Sequence, residues 1–400
     1  MPLAPAVSDL SLPEIEDFSL VIGGPFYKLL LRLGLGLRTL PNIQRRAVAV
    51  MLITWVPLAG LALAQGVAFG KQVQIPLFYD LAVYGRFLIC VPLWFIAEAF
   101  IDPSLNAAVQ SFVKSGLVRK AEMPDFLLAL EQTARLRDAV LPEVLLAVLA
   151  CAPTFLLFEH AEWLSGSVST WRSTPAHAFS WAGWWFAAVS TPIARFIMYR
   201  WLWRFLLWAA LLRKLSRINL HLLPTHPDYV GGLGFLPAAQ ERFAMLFTGL
   251  GAVLAGHIAN EVLYEGQRLA DSKVPIYAYI AISVVVVMAP LLVFTPALYH
   301  LRRTGLVEYG RLANRYMAEF DEKWIHGRVP EGEPLLGTND VQSQADLGAS
   351  YSVIRGMHLT PISKADLFRV ALAVALPMVP LVFIATPVDK IVQALLKMMT

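Results

Sequence analysis

The sequence predicts an all-α fold: a polytopic membrane helical bundle of about seven transmembrane helices, with amphipathic cytoplasmic helices beside it. Three observations predict this. Of the 400 residues, 57% are hydrophobic and 16% charged, against about 45–50% and 25% in soluble domains. The apolar excess falls into blocks of about 20 residues, the length at which a helix crosses a bilayer. Lys and Arg are dense in every second segment between these blocks and sparse in the others.

The elements follow in chain order. Residues 1–46 read as a cytoplasmic segment, in which "PFYKLLLRLGLGLR" (25–38) sets Lys28 and Arg32 on one face of an interfacial helix. No basic stretch leads into a short apolar core there, so no secretory signal peptide is expected. Spans one and two, 47–70 and 82–101, make the unit 47–101. Residues 102–139 read as a cytoplasmic helical hairpin, 104–118 and 124–137, with Pro124 in a first turn. Spans three and four, 140–158 and 181–200, extend to 217 on the cytoplasmic side. Trp181, Trp184 and Trp185 mark one end of span four, and Tyr199, Trp201 and Trp203 the other, about 30 Å away as two aromatic belts require. A loop, 218–242, leads into spans five and six, 243–264 and 274–298. The cytoplasmic region 299–365 holds two helices, 306–324 and 340–357, the second capped by Thr338 or Asn339. Residues 366–400 supply span seven, 366–386, and an external amphipathic tail, 388–400.

Orientation follows from basic residues. Segments 1–46, 102–139, 196–242 and 299–365 hold 24 Lys and Arg, and segments 71–81, 159–180, 265–273 and 387–400 hold 6. The positive-inside rule places the N-terminus in the cytoplasm and the C-terminus outside. Arg86, Glu98, Glu143, Arg195, Arg200, Arg204 and Arg369 lie in or beside spans and are expected to snorkel to an interface. Prolines interrupt six of the seven spans, Pro92 and Pro192 among them, and are expected to kink the helices.

Several function classes drop out. The basic residues are spread along the chain, so nucleic acid is not an expected partner; the lipid bilayer and a second copy of the chain in a homo-oligomer are. Cys90 and Cys151 sit in separate spans and read as packing residues rather than a disulfide. G-x-S-x-G, H-E-x-x-H, paired C-x-x-C and Walker A motifs are missing. "GVAFGKQ" (66–72) is one residue short between its glycines and has no Ser or Thr after Lys71.

Span five carries the most chemistry. In "GLGAVLAGHIANEVLYEG" (249–266), Gly249, Ala252, Gly256 and Asn260 form one stripe on which another helix can approach closely. His257 and Glu261, four residues apart, share a face beside it. Titratable groups inside a span usually face the bundle or water. One reading is an ion or proton pathway lined by His257, Asn260 and Glu261, with Arg86 paired to Glu261; the other is an interhelical polar clasp.

"THPDYVGGLGFL" (225–236) is the second unusual stretch. Pro227 fixes φ and Asp228 can bond to following amides, while Gly231, Gly232 and Gly234 allow positive φ or close approach. A rigid, tightly packed connector accounts for most of it. A re-entrant loop meeting an ion, or a zinc-type site from His221, His226 and Asp228, with or without His300, are the sharper readings. A metal ion is thus the only cofactor these residues would call for.

"HPDYVGGLGFL" together with "LLGTNDVQSQADLG" (335–348) resembles a family of bacterial multi-pass inner-membrane proteins. The resemblance covers most of the chain after span four and implies a bacterial cytoplasmic-membrane location; it brings no activity, catalytic residue or ligand. The first functional reading is therefore a channel or transporter-like protein for an ion or small solute. A membrane-embedded metal-dependent enzyme and a non-transporting scaffold or sensor subunit are the alternatives.

Overall fold

The computed structural model describes residues 18–32, 40–70, 72–159, 169–172, 179–329, 333 and 339–385. Among them are ten helices: α1 (Gly24–Arg32), α2 (Leu40–Ala64), α3 (Leu81–Lys114), α4 (Met123–Asp138), α5 (Val140–Glu159), α6 (181–215), α7 (Leu236–Tyr264), α8 (Lys273–Ile325), α9 (Asp340–Gly356) and α10 (Lys364–Ile384). The described residues contain no strand, only isolated bridge residues such as the Ile75–Thr170 pair. The protein is an all-α membrane bundle. α2, α3, α7, α8 and α10 are long and apolar enough to cross a membrane, and α5 carries a shorter apolar stretch, Val140–Thr154. The fourth expected span falls on α6, whose tryptophans and arginine lower its hydropathy.

The distribution of side chains is that of a protein solvated by lipid. Leu141 and Val274 are 68% and 75% exposed, as are large apolar residues along α2, α8 and α10, whereas Arg46, Asp80, Glu98, Arg200 and Arg204 are buried. In water this arrangement would leave extended apolar faces wet. In a bilayer those faces meet acyl chains, and helices satisfy every backbone group internally.

The cytoplasmic helices expected from periodicity are in part continuations of the spans. α3 runs through Pro103 to Lys114, so the expected boundary at 101/102 falls inside a helix. α8 runs on through 298/299 for 53 residues, about 80 Å at helical rise. A 3₁₀ stretch at Ala289–Phe294 accommodates Pro290, and a π stretch at Asp321–Ile325 ends the arm. α9 begins after Asn339, as expected, but the Asn339 side chain makes no capping bond. α10 is capped instead by a reciprocal Ser363–Asp366 box. Residues 33–39 of the interfacial segment, Thr338, and the tail 388–400 lie outside the described residues.

Two prolines leave a specific mark. In α3 the Val91 N–H reaches back to the Arg86 carbonyl, and in α6 the Thr191 N–H reaches back to the Phe186 carbonyl. Both are i→i+5 bonds, so each helix holds a π-bulge, Gly85–Cys90 and Phe186–Ser190, immediately before Pro92 and Pro192. The bulge in α6 deprives the Ala187 carbonyl of its helical donor, and Thr154 Oγ1 of α5 supplies one at 2.9 Å.

The small-residue stripe of span five packs on α3, as the sequence suggests. A Cβ on Gly249 would stand 3.0 Å from Trp94 Nε1 and 3.1 Å from Cys90 Sγ, and one on Gly256 would stand 2.6 Å from the Leu81 carbonyl oxygen. Gly85 of α3 answers from the other side, where a Cβ would collide with the Ala252 carbonyl. Gly256→Val therefore forces backbone apart, whereas Gly60→Ala on α2, with nothing within 4 Å of its Cβ, does not. Overpacking of this kind costs about 1–3 kcal/mol or more. Thermal unfolding of detergent-solubilised protein should show a lowered midpoint or lost folded yield for Gly256→Val and a parental midpoint for Gly60→Ala; equal midpoints would refute the close approach.

Candidate functional site

α3, α6 and α7 build the site in three layers. At one end Asp80, 2% exposed, caps α3 by accepting the Ala82 and Val83 N–H groups at 3.1 and 3.3 Å. Trp171 Nε1 and Asn260 Nδ2 each donate to it at 2.8 Å, and Arg172 Nη2 pairs with it at 3.2 Å. The Asn260 Oδ1 accepts the Leu81 N–H at 3.0 Å. Both ends of the Asn260 amide are thus spent joining α7 to α3, which makes it an interhelical polar clasp.

The other groups expected to line a pathway separate. His257 is exposed and Glu261 is half-buried. Among the described residues Glu261 forms no ion pair with Arg86. Arg86 turns instead toward α6, its guanidinium 5.6 Å from the centre of the Phe186 ring, which Arg172 also covers at 4.8 Å. The physical reason is depth: Arg86 lines a cleft with Leu250 and Val253 of α7, and Glu261 lies two to three turns further along that helix.

Below the Asp80 clasp lies a cleft of about 200 Å³ between α3, α6 and α7. Arg86, Thr191 and Arg195 supply its polar groups, and Val91, Trp94, Met198, Leu250 and Val253 its apolar walls. Thr191 is 8% exposed, and its Oγ1, like Arg195 Nη1, is buried without a hydrogen-bond partner. Among the described residues no carboxylate pairs with Arg86 or Arg195. Trp94 Nε1 donates to the Leu246 carbonyl at 3.1 Å and Trp201 Nε1 to the Trp94 carbonyl at 3.1 Å, which closes the floor.

The third layer is a second clasp. Glu98, 7% exposed, is held by Arg46 at 2.8 Å and Arg204 at 3.3 Å, and Arg200 pairs with Glu143 at 3.3 Å. These side chains do not snorkel; they form buried pairs. Arg204 also donates to the Val21 carbonyl at 3.0 Å. Ser19 Oγ and the Leu20 and Val21 N–H groups bond to Asp102 at 2.8–3.2 Å, so residues 18–23 are threaded between the helix ends. Arg369, more than half exposed, pairs with Glu241 at 2.7 Å.

The Gly-rich loop is a separate structure. Asp228 accepts the N–H groups of Val230 at 2.9 Å, Gly232 at 3.0 Å and Gly234 at 2.9 Å, and His226 Nδ1 stands 2.8 Å from its Oδ1. Tyr229, Gly231 and Gly232 adopt positive φ of 60°, 68° and 100°. The loop seats against Leu117 and Leu301, and the Tyr229 carbonyl accepts the His358 N–H at 2.9 Å. It is a rigid connector that fastens α8 and the α9–α10 junction to the bundle. The three expected metal ligands are not gathered: His221 lies 2.9 Å from Arg119, and among the described residues no three His, Cys, Asp or Glu side chains could hold a metal. Both Asp228 oxygens are occupied by amides, which is what the glycines serve.

Sequence reading overlooks Asp80, Arg172, Thr191 and the role of Arg195. Asp80 had a signal, an acidic residue just before an apolar run, the N-cap pattern. Arg195 had another: it is 14 residues past Trp181, about 21 Å below that belt.

Burial works against the Asp228 carboxylate, but the Val230, Gly234 and Gly232 amides and His226 together hold it below the usual carboxylate range. Its contribution to stability is therefore full above the unfolded value, about pH 4, and is lost as pH falls through the lower folded value. Asp228→Ala should cost about 1–3 kcal/mol at neutral pH and should flatten the acid limb of the unfolding midpoint. Parental stability in that variant from pH 7 to pH 3 would make the loop a passive linker.

No protein-family model, curated protein or solved structure matches the chain.

Proposed function

We propose that this membrane protein is a channel or transporter that moves a small anion. The cleft carries the reading: Arg86, Thr191 and Arg195 line it, and among the described residues neither arginine forms an ion pair with a carboxylate. An arginine inside a span is costly, and such residues mark ion and substrate paths. Arginine also suits anions chemically, because its planar fork donates to them in pairs. The layering supports movement rather than storage. Polar clasps at Asp80 and Glu98 stand on either side of the cleft, as an occluded site between two closures requires, and the π-bulges interrupt α3 and α6 in the manner of transporter spans. The protein sits in a bacterial cytoplasmic membrane with the Glu98 end inside, as the 24 basic residues on that side against 6 argue.

Two measurements test this. In liposomes carrying the purified protein, anion flux should exceed that of empty liposomes, and Arg195→Gln should lower it about tenfold or more, the loss of one charge-assisted interaction. Flux that is the same in parent, Arg195→Gln and empty liposomes would end the transport reading. For orientation, Arg268 and Arg315 are 82% and 80% exposed. Cysteines placed there in a Cys-free background should react with an impermeant thiol reagent in intact cells at 268 and stay protected at 315; the opposite pattern inverts the topology.

A further inference from the structure

We infer that the cleft takes a small organic carboxylate with a compact apolar body, in preference to an inorganic anion. The inference rests on the anion reading above and names its ligand class. The strongly polar residues that line the cleft are few: Arg86, Arg195 and Thr191. The remaining wall is apolar. Val91, Met198, Leu250 and Val253 have no donor, and the single N–H of Trp94 is committed to the Leu246 carbonyl, so Trp94 presents only ring.

A halide or sulfate in such a site would exchange a full hydration shell for donors on one part of its surface, and an anion stripped of water without replacement donors is strongly disfavoured. A carboxylate concentrates its charge on two oxygens, which matches guanidinium forks. Its apolar body then buries against Trp94 and the aliphatic walls, gaining what an inorganic anion cannot. The size limits the body. About 200 Å³ lies below the roughly 300–1,000 Å³ of drug-sized sites, so a single ring or a short alkyl chain fits. At the rim Arg172 is paired with Asp80 and does not compete for the ligand.

The test is thermal unfolding of the full-length protein in a non-ionic detergent, with sodium benzoate, butyrate, acetate, chloride and sulfate titrated at constant ionic strength. Benzoate and butyrate should raise the midpoint saturably, at concentrations about tenfold or more below acetate and chloride, the gain expected from burying an apolar body. Arg195→Gln should abolish that rise. Ala194 lines the cleft and is buried, so Ala194→Leu should remove the benzoate response while keeping that of acetate. This second variant serves where Arg195→Gln fails to fold. Chloride or sulfate matching benzoate would overturn the ligand class and leave the anion reading standing. No anion shifting the parent would overturn both. Benzoate shifting the parent and Ala194→Leu equally would place its effect outside the cleft and overturn the inference.

Discussion

The close approach of α3 and α7 is the constraint on which the site depends. Gly85 and Gly256 bring the two helices together so closely that a methyl group on either would meet the other helix's backbone. Lipid supplies no hydrophobic force to drive helices together, so contact of this kind, with its dispersion and its polar clasps, is what membrane bundles rely on. The approach sets Asn260 against the start of α3, where its amide both donates to Asp80 and accepts from Leu81. It also fixes where α6 stands off. Between a tightly joined pair and a third helix there is room for a cleft, and the arginines occupy it.

Charge is distributed along this bundle in a pattern that local sequence does not dictate. At the Glu98 end, every cation has an anion beside it: Glu98 lies between Arg46 and Arg204, and Glu143 meets Arg200. Removing one partner of such a buried pair typically costs about 3–5 kcal/mol, which makes that end rigid. At the Asp80 end a single carboxylate is shared among an indole, an amide and a guanidinium. Between them, Arg86 and Arg195 stand without a carboxylate among the described residues. Their position between two neutralised layers is why the cleft, and not the clasps, carries the functional reading.

Much of the fold was legible because lipid enforces a simple rule. Each of the seven apolar blocks falls largely on a helix, since a backbone in hydrocarbon has few other ways to satisfy itself. The stripe Gly249, Ala252, Gly256 and Asn260 was readable for the same reason: α7 keeps a regular helical period along it, so residues on one face in sequence are on one face in space. The Asp228 turn was readable from the known habits of Asp, Pro and Gly. What sequence could not supply was which spans are neighbours. His257 and Glu261 share a face of α7, yet the partner expected for Glu261, Arg86, belongs to the interface with α6. Nor could composition distinguish a snorkelling arginine from a paired one, because Glu98 and Arg204 are 106 residues apart.

The cleft itself escaped for a geometric reason. On an unbroken helix of 3.6 residues per turn, Trp94 would lie about 80° around from Arg86, on a different face. The π-bulge at Gly85–Cys90 inserts an extra residue into that turn, which removes most of the offset. Arg86, Cys90 and Trp94 then line one cavity. The same correction applies in α6, where the bulge lies between Phe186, which receives the Arg86 guanidinium, and Thr191, which lines the cleft beneath it. Both bulges end one residue before a proline pair-position, at Val91–Pro92 and Thr191–Pro192. Proline cannot donate the next helical bond, so a wider turn just before it leaves fewer carbonyls competing for the remaining donors. A regular period read across Pro92 and Pro192 therefore puts the cleft residues on the wrong faces, and the prolines that seemed only to kink the spans are the elements that align the arginines.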